Sequence, residues 1–103
     1  MPYRFTRTTG FKTIANMVEA MPTCIKIVEY INKVWKMEAH LMVPMMGGHP
    51  GRVRFAVLCD DLNALQAAQS AAMKDKKYLA LLGKLGPHVD GSVTHDQMWN
   101  IIA

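Results

Sequence analysis

Only two cysteines occur in the 103 residues, Cys24 and Cys59. They lie far apart inside apolar stretches and form no CxxC pair, which argues against a disulfide framework or a zinc half-site and leaves buried thiols as the reading. Aromatic residues are sparse at 8%, charged residues make up 19%, and half of the chain is apolar, a globular rather than a disordered balance. No apolar run approaches the ~18 residues that span a bilayer, so no membrane partner is expected. The first residues, Met1-Pro2-Tyr3-Arg4-Phe5, alternate like a strand and lack the apolar centre and cleavage site of a signal peptide, which makes a cytoplasmic location the expectation. Acidic side chains are outnumbered, eight to twelve, for a formal charge of +4. Arg4, Arg7 and Lys12 look unopposed near the N-terminus, and Lys74, Lys76 and Lys77 surround a single Asp75. This excess is spread too thinly for a polybasic patch, so nucleic acid is not the expected partner.

What is present is a sequence of periodicities that fits one domain over residues 1–103. Tyr3, Phe5 and Arg7 alternate with Arg4, Thr6 and Thr8 as in a strand, with Gly10 a natural end. From Thr13, a candidate cap, Ile14, Met17, Val18, Met21, Ile25, Val28 and Ile31 recur at helical steps. Pro22 interrupts without shifting the phase, which predicts one kinked helix or two collinear pieces. A second strand is expected over Val34–Met45, with Trp35, Met37, Ala39, Leu41 and Val43 on one face and Glu38, His40 and Met42 on the other. The turn Met46-Gly47-Gly48-His49-Pro50-Gly51 leads to a third strand, Arg52–Cys59. Asp60 or Asp61 can cap a helix through Leu62, Leu65, Ala68, Ala72 and Met73, and a short helix follows through Tyr78, Leu81, Leu82 and Leu85 to Gly86-Pro87. Ser92–Ile102 alternates as the last strand. The order is βαββαβ, an α+β class: a four-stranded antiparallel sheet with its helices on one face.

Leu41-Met42-Val43-Pro44-Met45-Met46 and Phe55-Ala56-Val57-Leu58-Cys59 are apolar on both faces. Two helices shield only one side of such a sheet, and a bare apolar face would exceed the patch usual for soluble monomers. The second face is therefore expected to pack on another copy, as a two-fold homodimer.

The stretches Val53-Arg54-Phe55-Ala56-Val57, Asp61-Leu62-Asn63-Ala64-Leu65 and Lys77-Tyr78-Leu79-Ala80-Leu81-Leu82 within this order resemble the dimeric α/β-barrel (ferredoxin-like) superfamily, particularly its NIPSNAP-like branch. The resemblance covers nearly the whole chain and rests on element order and composition rather than on an invariant motif. It implies homodimers in which two sheets meet as a barrel, with a pocket in each subunit between sheet and helices. Members include small monooxygenases, haem-degrading enzymes, polyketide cyclases, isomerases and dismutases.

His40 and His95 are candidate proton-transfer groups because each lies within an expected strand and an imidazole titrates near neutrality. The alternative for each is a histidine satisfied by a neighbour. His95 and Asp96 are adjacent on a strand and must face opposite ways, so His95 would pair instead with Arg54 or His40. Arg54, on an otherwise apolar strand, could receive a substrate carboxylate or enolate oxygen, make a dimer salt bridge, or hold its head in water. Trp35, Met42, Phe55 and Trp99 are the candidate pocket lining, with core packing as the other reading. Nine methionines, among them Met17, Met21, Met37, Met45, Met46 and Met98, can fill a core or shape a flexible cavity. His49 and His88 beside Pro50 and Pro87 read as exposed turn histidines. No histidine pair has the spacing of a local metal site, so no metal and no cofactor is expected. The glycine turn joins two strands without a following helix N-terminus, unlike a phosphate loop; a lid or a plain connection are its readings.

Two functions follow as expectations. One, whose reaction class the resemblance implies, is small-molecule binding or a cofactor-independent enzyme of oxygenase, cyclase or isomerase type, acting on a small aromatic or polyketide-like compound with catalytic His40, Arg54 and His95. The other is a non-catalytic ligand-binding or assembly module. RNA binding is a minor third, since RNA-binding sheets of this order need exposed aromatics on the two central strands.

Overall fold

A computed structural model describes residues 2–46 and 49–102; Gly47 and Gly48 of the expected turn lie outside the described residues. The strands are β1 (Tyr3–Phe11), β2 (Glu38–Met42), β3 (Arg52–Cys59) and β4 (Val89–Asn100), and the helices are α1 (Ile14–Val34), α2 (Leu62–Ala72) and α3 (Lys76–Leu85). A short 3₁₀ turn, Gly86–His88, leads from α3 into β4. The strands form one sheet in the order β2-β3-β1-β4, with antiparallel neighbours throughout. This is the expected βαββαβ order.

Side chains of paired residues share a face. Phe5, Arg7 and Thr9 of β1 lie on the side of Phe55 and Val57 of β3 and face the helices, whereas Arg4, Thr6 and Thr8 lie with Leu58, Ala56 and Arg54 on the open side. The expectation that the second face is broadly apolar is met only in part. Phe55, Val57 and Leu41 all turn to the helices, and the open face mixes Ala56, Leu58, Met42 and Trp99 with threonines, arginines and histidines.

Thr13 caps α1, its hydroxyl accepting from Asn16 N–H at 3.0 Å. The helix runs as one piece through Pro22. Its buried stripe is Ala20, Cys24, Ile27 and Ile31, rotated from the expected one, and Ile14, Val18 and Ile25 are exposed. The small Ala20 and Cys24 let the helix axis approach the sheet, which sets the rotation. Each fully buried aliphatic side chain there contributes roughly 1.5–3 kcal/mol by leaving water. The helix passes the expected boundary at Val34, and Trp35 is its C-cap. Lys36 then takes a left-handed conformation, φ 52°, which ends the helix and delays β2 to Glu38. Asn32 bridges back to β2: its Oδ1 accepts from Ala39 N–H at 2.8 Å and its Nδ2 donates to Ala39 O at 3.2 Å, occupying backbone groups of an edge strand.

The last strand starts at Val89 and ends at Asn100, earlier than the expected Ser92–Ile102. Its register against β1 slips between Thr8↔His95 and Gly10↔Asp90, a bulge that lays Val93 over Gly10.

Candidate functional site

Two concavities flank the sheet. The first, about 370 Å³, lies between the sheet and the helices. Asp61 caps α2 by accepting from Asn63 N–H at 2.8 Å, and this helix lies over the sheet with small side chains, Ala68 and Ala72, toward the space. Their size leaves a cavity that larger residues would fill. Phe5 and Val57 form its sheet-side wall, and Trp35, Tyr78 and Leu82 its helical wall. A narrower recess of about 100 Å³ shares Phe5, Arg7, Val57 and Tyr78 and extends to Phe55.

Asp75 organises the aromatic wall. It caps α3, its Oδ1 accepting from Lys77 N–H and Tyr78 N–H at 3.1 and 3.2 Å, while its Oδ2 accepts from Tyr30 Oη at 2.7 Å and Trp35 Nε1 at 3.2 Å. The Tyr30 hydrogen bond is the main cause that holds the Asp75 carboxyl below the usual carboxylate range. The Trp35 and Tyr78 rings consequently stand 4.6 Å apart in a tilted arrangement, 47° between their planes, within the centroid range of interacting aromatic pairs.

The polar part of this cavity is the pair Arg7–Asp96. These residues are cross-strand partners, and the guanidinium donates twice, from Nε to Oδ1 at 2.8 Å and from Nη2 to Oδ2 at 3.0 Å. The hydrogen bond lowers the Asp96 pKa and raises that of Arg7. Both side chains are a little over two-fifths exposed, 44% and 43%, so the pair is reachable from the cavity and screened by solvent. Burial pushes the Tyr78 phenol up, with Arg7 opposing; it is a neutral hydrogen-bond donor at physiological pH. Among the described residues its hydroxyl has no hydrogen-bond partner. The site therefore offers a guanidinium and a phenol as donors and a carboxylate as acceptor, against an aromatic and aliphatic surround.

The second concavity, about 410 Å³, is on the open face and is lined by Thr8, Met42, Arg54 and His95 among others. Arg54 and His95 flank Thr8 in one row across the sheet, so the expected pairing of these two is realised as neighbourhood rather than contact. His40 stands one row away, opposite Ala56, with Nε2 2.8 Å from Glu38 Oε2, and does not line the hollow. His40, Arg54 and His95 thus all project from the face opposite the helix-side cavity. Of the expected pocket residues, Trp35 lines that cavity and Phe55 its recess, Met42 lines the open-face hollow, and Trp99 stands on the open face opposite Arg4. Met45 and Met46 are almost fully exposed and shape neither. His88 is not an incidental exposed histidine; its Nδ1 lies 2.8 Å from Asn16 Oδ1.

Arg7, Asp96 and Tyr78 escaped the sequence reading as a site. Arg7 read as unopposed because Asp96 is 89 positions away; only the register of β1 on β4 joins them. The opposed directions of His95 and Asp96 were a usable signal, since one strand then serves both faces. Among the described residues no three His, Cys, Asp or Glu side chains gather as a metal site requires, and no helix is long and apolar enough to cross a membrane.

No protein-family model and no curated protein matches the sequence. Solved structures do match in shape. A NIPSNAP family protein from Agrobacterium tumefaciens str. C58 aligns with a TM-score of 0.74 at 13% identity over 97% of this chain and 92% of its own. A dimeric protein of ferredoxin-like fold from Bacteroides fragilis NCTC 9343 aligns with 0.72 at 8% identity, over 97% and 96%. SnoaB, a cofactor-independent oxygenase from Streptomyces nogalater, aligns with 0.69 at 8% identity, over 97% and 92%. At such identities the likeness speaks for architecture, and together with the strand order it establishes that this chain adopts the ferredoxin-like α+β fold.

Proposed function

We propose that the helix-side cavity binds a small, flat, largely apolar compound carrying an acidic hydroxyl or enol, and that the protein acts on it as a cofactor-independent enzyme of oxygenase, cyclase or isomerase type. The observation that carries this reading is the Arg7–Asp96 pair beside the unpartnered Tyr78 hydroxyl in an aromatic cavity of about 370 Å³, a volume within the range usual for small-molecule sites. Its chemistry follows from the charges. Asp96 is held ionised by Arg7 and is a weak base, so it is suited to orient a ligand hydroxyl rather than to strip a carbon acid. Arg7 and Tyr78 can both donate to an oxygen on which negative charge develops, which favours the phenolate or enolate of the ligand. Such an electron-rich anion is the form that reacts with dioxygen or rearranges without a cofactor. The likeness to a cofactor-independent oxygenase supports this choice of class. His40, Arg54 and His95, on the other face, have no part in it.

The second element of the proposal is a homodimer through the half of the open face that carries Leu58, Ala56 and Trp99. Trp99 is 45% exposed there, and Arg4 Nε, in the same row, is buried with no hydrogen-bond partner among the described residues. A buried orphan donor is costly, and a second copy can supply its acceptor. The dimeric ferredoxin-like neighbour supports a dimeric state. Light scattering at micromolar concentration should report two chains per particle; one chain per particle removes this element.

The ligand reading is tested with 1-naphthol. Spectrophotometric pH titration should show its ionisation displaced to lower pH by on the order of one unit in the presence of the protein. The displacement should shrink in Tyr78→Phe and vanish in Arg7→Gln, with dioxygen uptake measured alongside. An ionisation curve identical with and without protein refutes the reading.

A further inference from the structure

We infer that the open-face hollow is a binding site for a small organic oxyanion, a carboxylate or phosphate on an apolar body, with Arg54 as its principal contact and Thr8 and His95 beside it. This is a different site from the helix-side cavity and shares no residue with it.

The register places Met42, Arg54, Thr8 and His95 in one row across all four strands. Three hydrogen-bonding side chains therefore project next to one another, and Arg52 follows two positions along β3 on the same face. The hollow they border is about 410 Å³, large enough for a small ligand. Each titratable side chain that lines it, namely His49, Arg52, Arg54 and His95, is cationic or becomes so on protonation, and no described carboxylate lines it.

Neither Asp96 nor Asp90 is hydrogen-bonded to Arg54. Asp96 follows His95 in sequence but projects from the opposite face, where Arg7 holds both of its oxygens. Asp90 lies one row along, across Gly10 from Arg52; its Oδ1 accepts from the Ser92 hydroxyl and N–H at 2.7 and 3.1 Å, and its charge is felt by Arg52 and Lys12 rather than by Arg54. Arg54 makes a single long hydrogen bond among the described residues, from Nε to Thr8 Oγ1 at 3.4 Å. Its two Nη groups have no acceptor among the described residues, and a guanidinium matches a carboxylate or phosphate edge with two parallel bonds. The remaining wall, Met42, Val43 and Pro44, is apolar and would stay wetted around a bare inorganic ion. A hydrocarbon body attached to the oxyanion covers it.

Isothermal titration at low salt with phenyl phosphate, benzoate and benzyl alcohol tests this. At least one anion should bind with a dissociation constant on the order of 1 mM or tighter, the alcohol should not, and the preferred anion tells phosphate from carboxylate. Arg54→Gln should weaken binding by about tenfold or more, a loss of about 1.4 kcal/mol, Arg54→Lys should restore part of it, and Arg7→Gln on the other face should leave it unchanged. Arg54 is exposed, so these variants are expected to fold, as far-ultraviolet circular dichroism can verify. No heat with either anion, as when side chains of a second copy fill the hollow, overturns the inference. So does binding that survives Arg54→Gln or disappears in Arg7→Gln. The helix-side proposal fails or stands separately, on 1-naphthol and the Tyr78→Phe variant.

Discussion

Replacing Gly10 with alanine probes the bulge that lays Val93 of β4 against β1. A β-carbon built at this position would sit 2.6 Å from Val93 Cβ, 2.8 Å from Cγ1 and 3.2 Å from Cγ2, whereas carbon atoms in contact prefer ~3.5–4.0 Å. The closest atom is Val93 Cβ, which is fixed to the backbone, so no rotamer change relieves the overlap and the bulge itself must shift. Overpacking of this kind costs about 1–3 kcal/mol. Alanine returns about 0.4–1 kcal/mol by restricting the unfolded chain, which leaves a net loss of roughly 1–2 kcal/mol. For a domain of this size that corresponds to a fall in Tm of roughly 4–16 °C. Urea unfolding followed by tryptophan fluorescence, at one fixed protein concentration, should resolve it. Val93→Gly removes all three opposing atoms, so the double variant should lose less than the sum of the two single losses. An alanine variant as stable as the parent, or strict additivity with Val93→Gly, would refute the close-approach argument.

Arg7→Gln should lower stability most near neutral pH and least in acid. Asp96 has a depressed folded pKa, so the pair contributes above the unfolded carboxylate value of ~3.9 and loses its contribution as pH falls through the lower folded value. For so exposed a pair the difference should be below about 1 kcal/mol, and urea midpoints at neutral and strongly acidic pH measure it; a difference that grows in acid would contradict the assignment. Asp75→Asn keeps a competent helix cap but loses an acceptor for Tyr30 and Trp35, whereas Asp75→Ala loses both. Thermal melts should therefore rank parent above Asn above Ala, and Trp35 emission should change in both variants. Cys24, wholly buried with its thiol pushed up to about 11, should resist alkylation at mildly alkaline pH until denaturant is added; rapid labelling of the native protein would count against its placement in the core.

Element order and type were legible in the chain because each element carries its own period. Thr13 or a neighbouring threonine, and Asp60 or Asp61, announced two caps, Pro22 left the helical phase intact, and the apolar run over Phe55–Cys59 marked the third strand. Boundaries near Trp35 were not legible, since Trp35 and Met37 fit the alternation of a strand and only the left-handed Lys36 reveals where the helix stops. The stripe of α1 was misphased for a related reason. Ile14, Val18 and Ile25 are more hydrophobic than Ala20 and Cys24, but the sheet selects the face by how closely it can approach, and small residues win. The candidate site was legible only in fragments. Trp35 and Phe55 were singled out, while Arg7, Asp96 and Tyr78 were not, because their relation depends on strand register and on where α3 begins.

Local chemistry, periodicity and caps thus determined which segments become strands and helices and in what order, for those are short-range properties of the backbone and of neighbouring side chains. Tertiary structure alone decided which face each polar residue serves. A shift of one residue in register would exchange Arg7 for Thr6 and Asp96 for His95, and nothing within a single strand records that choice. It is fixed by how β1 lies against β3 and β4, where helices bury one face and leave His40, His95 and Arg54 on the other.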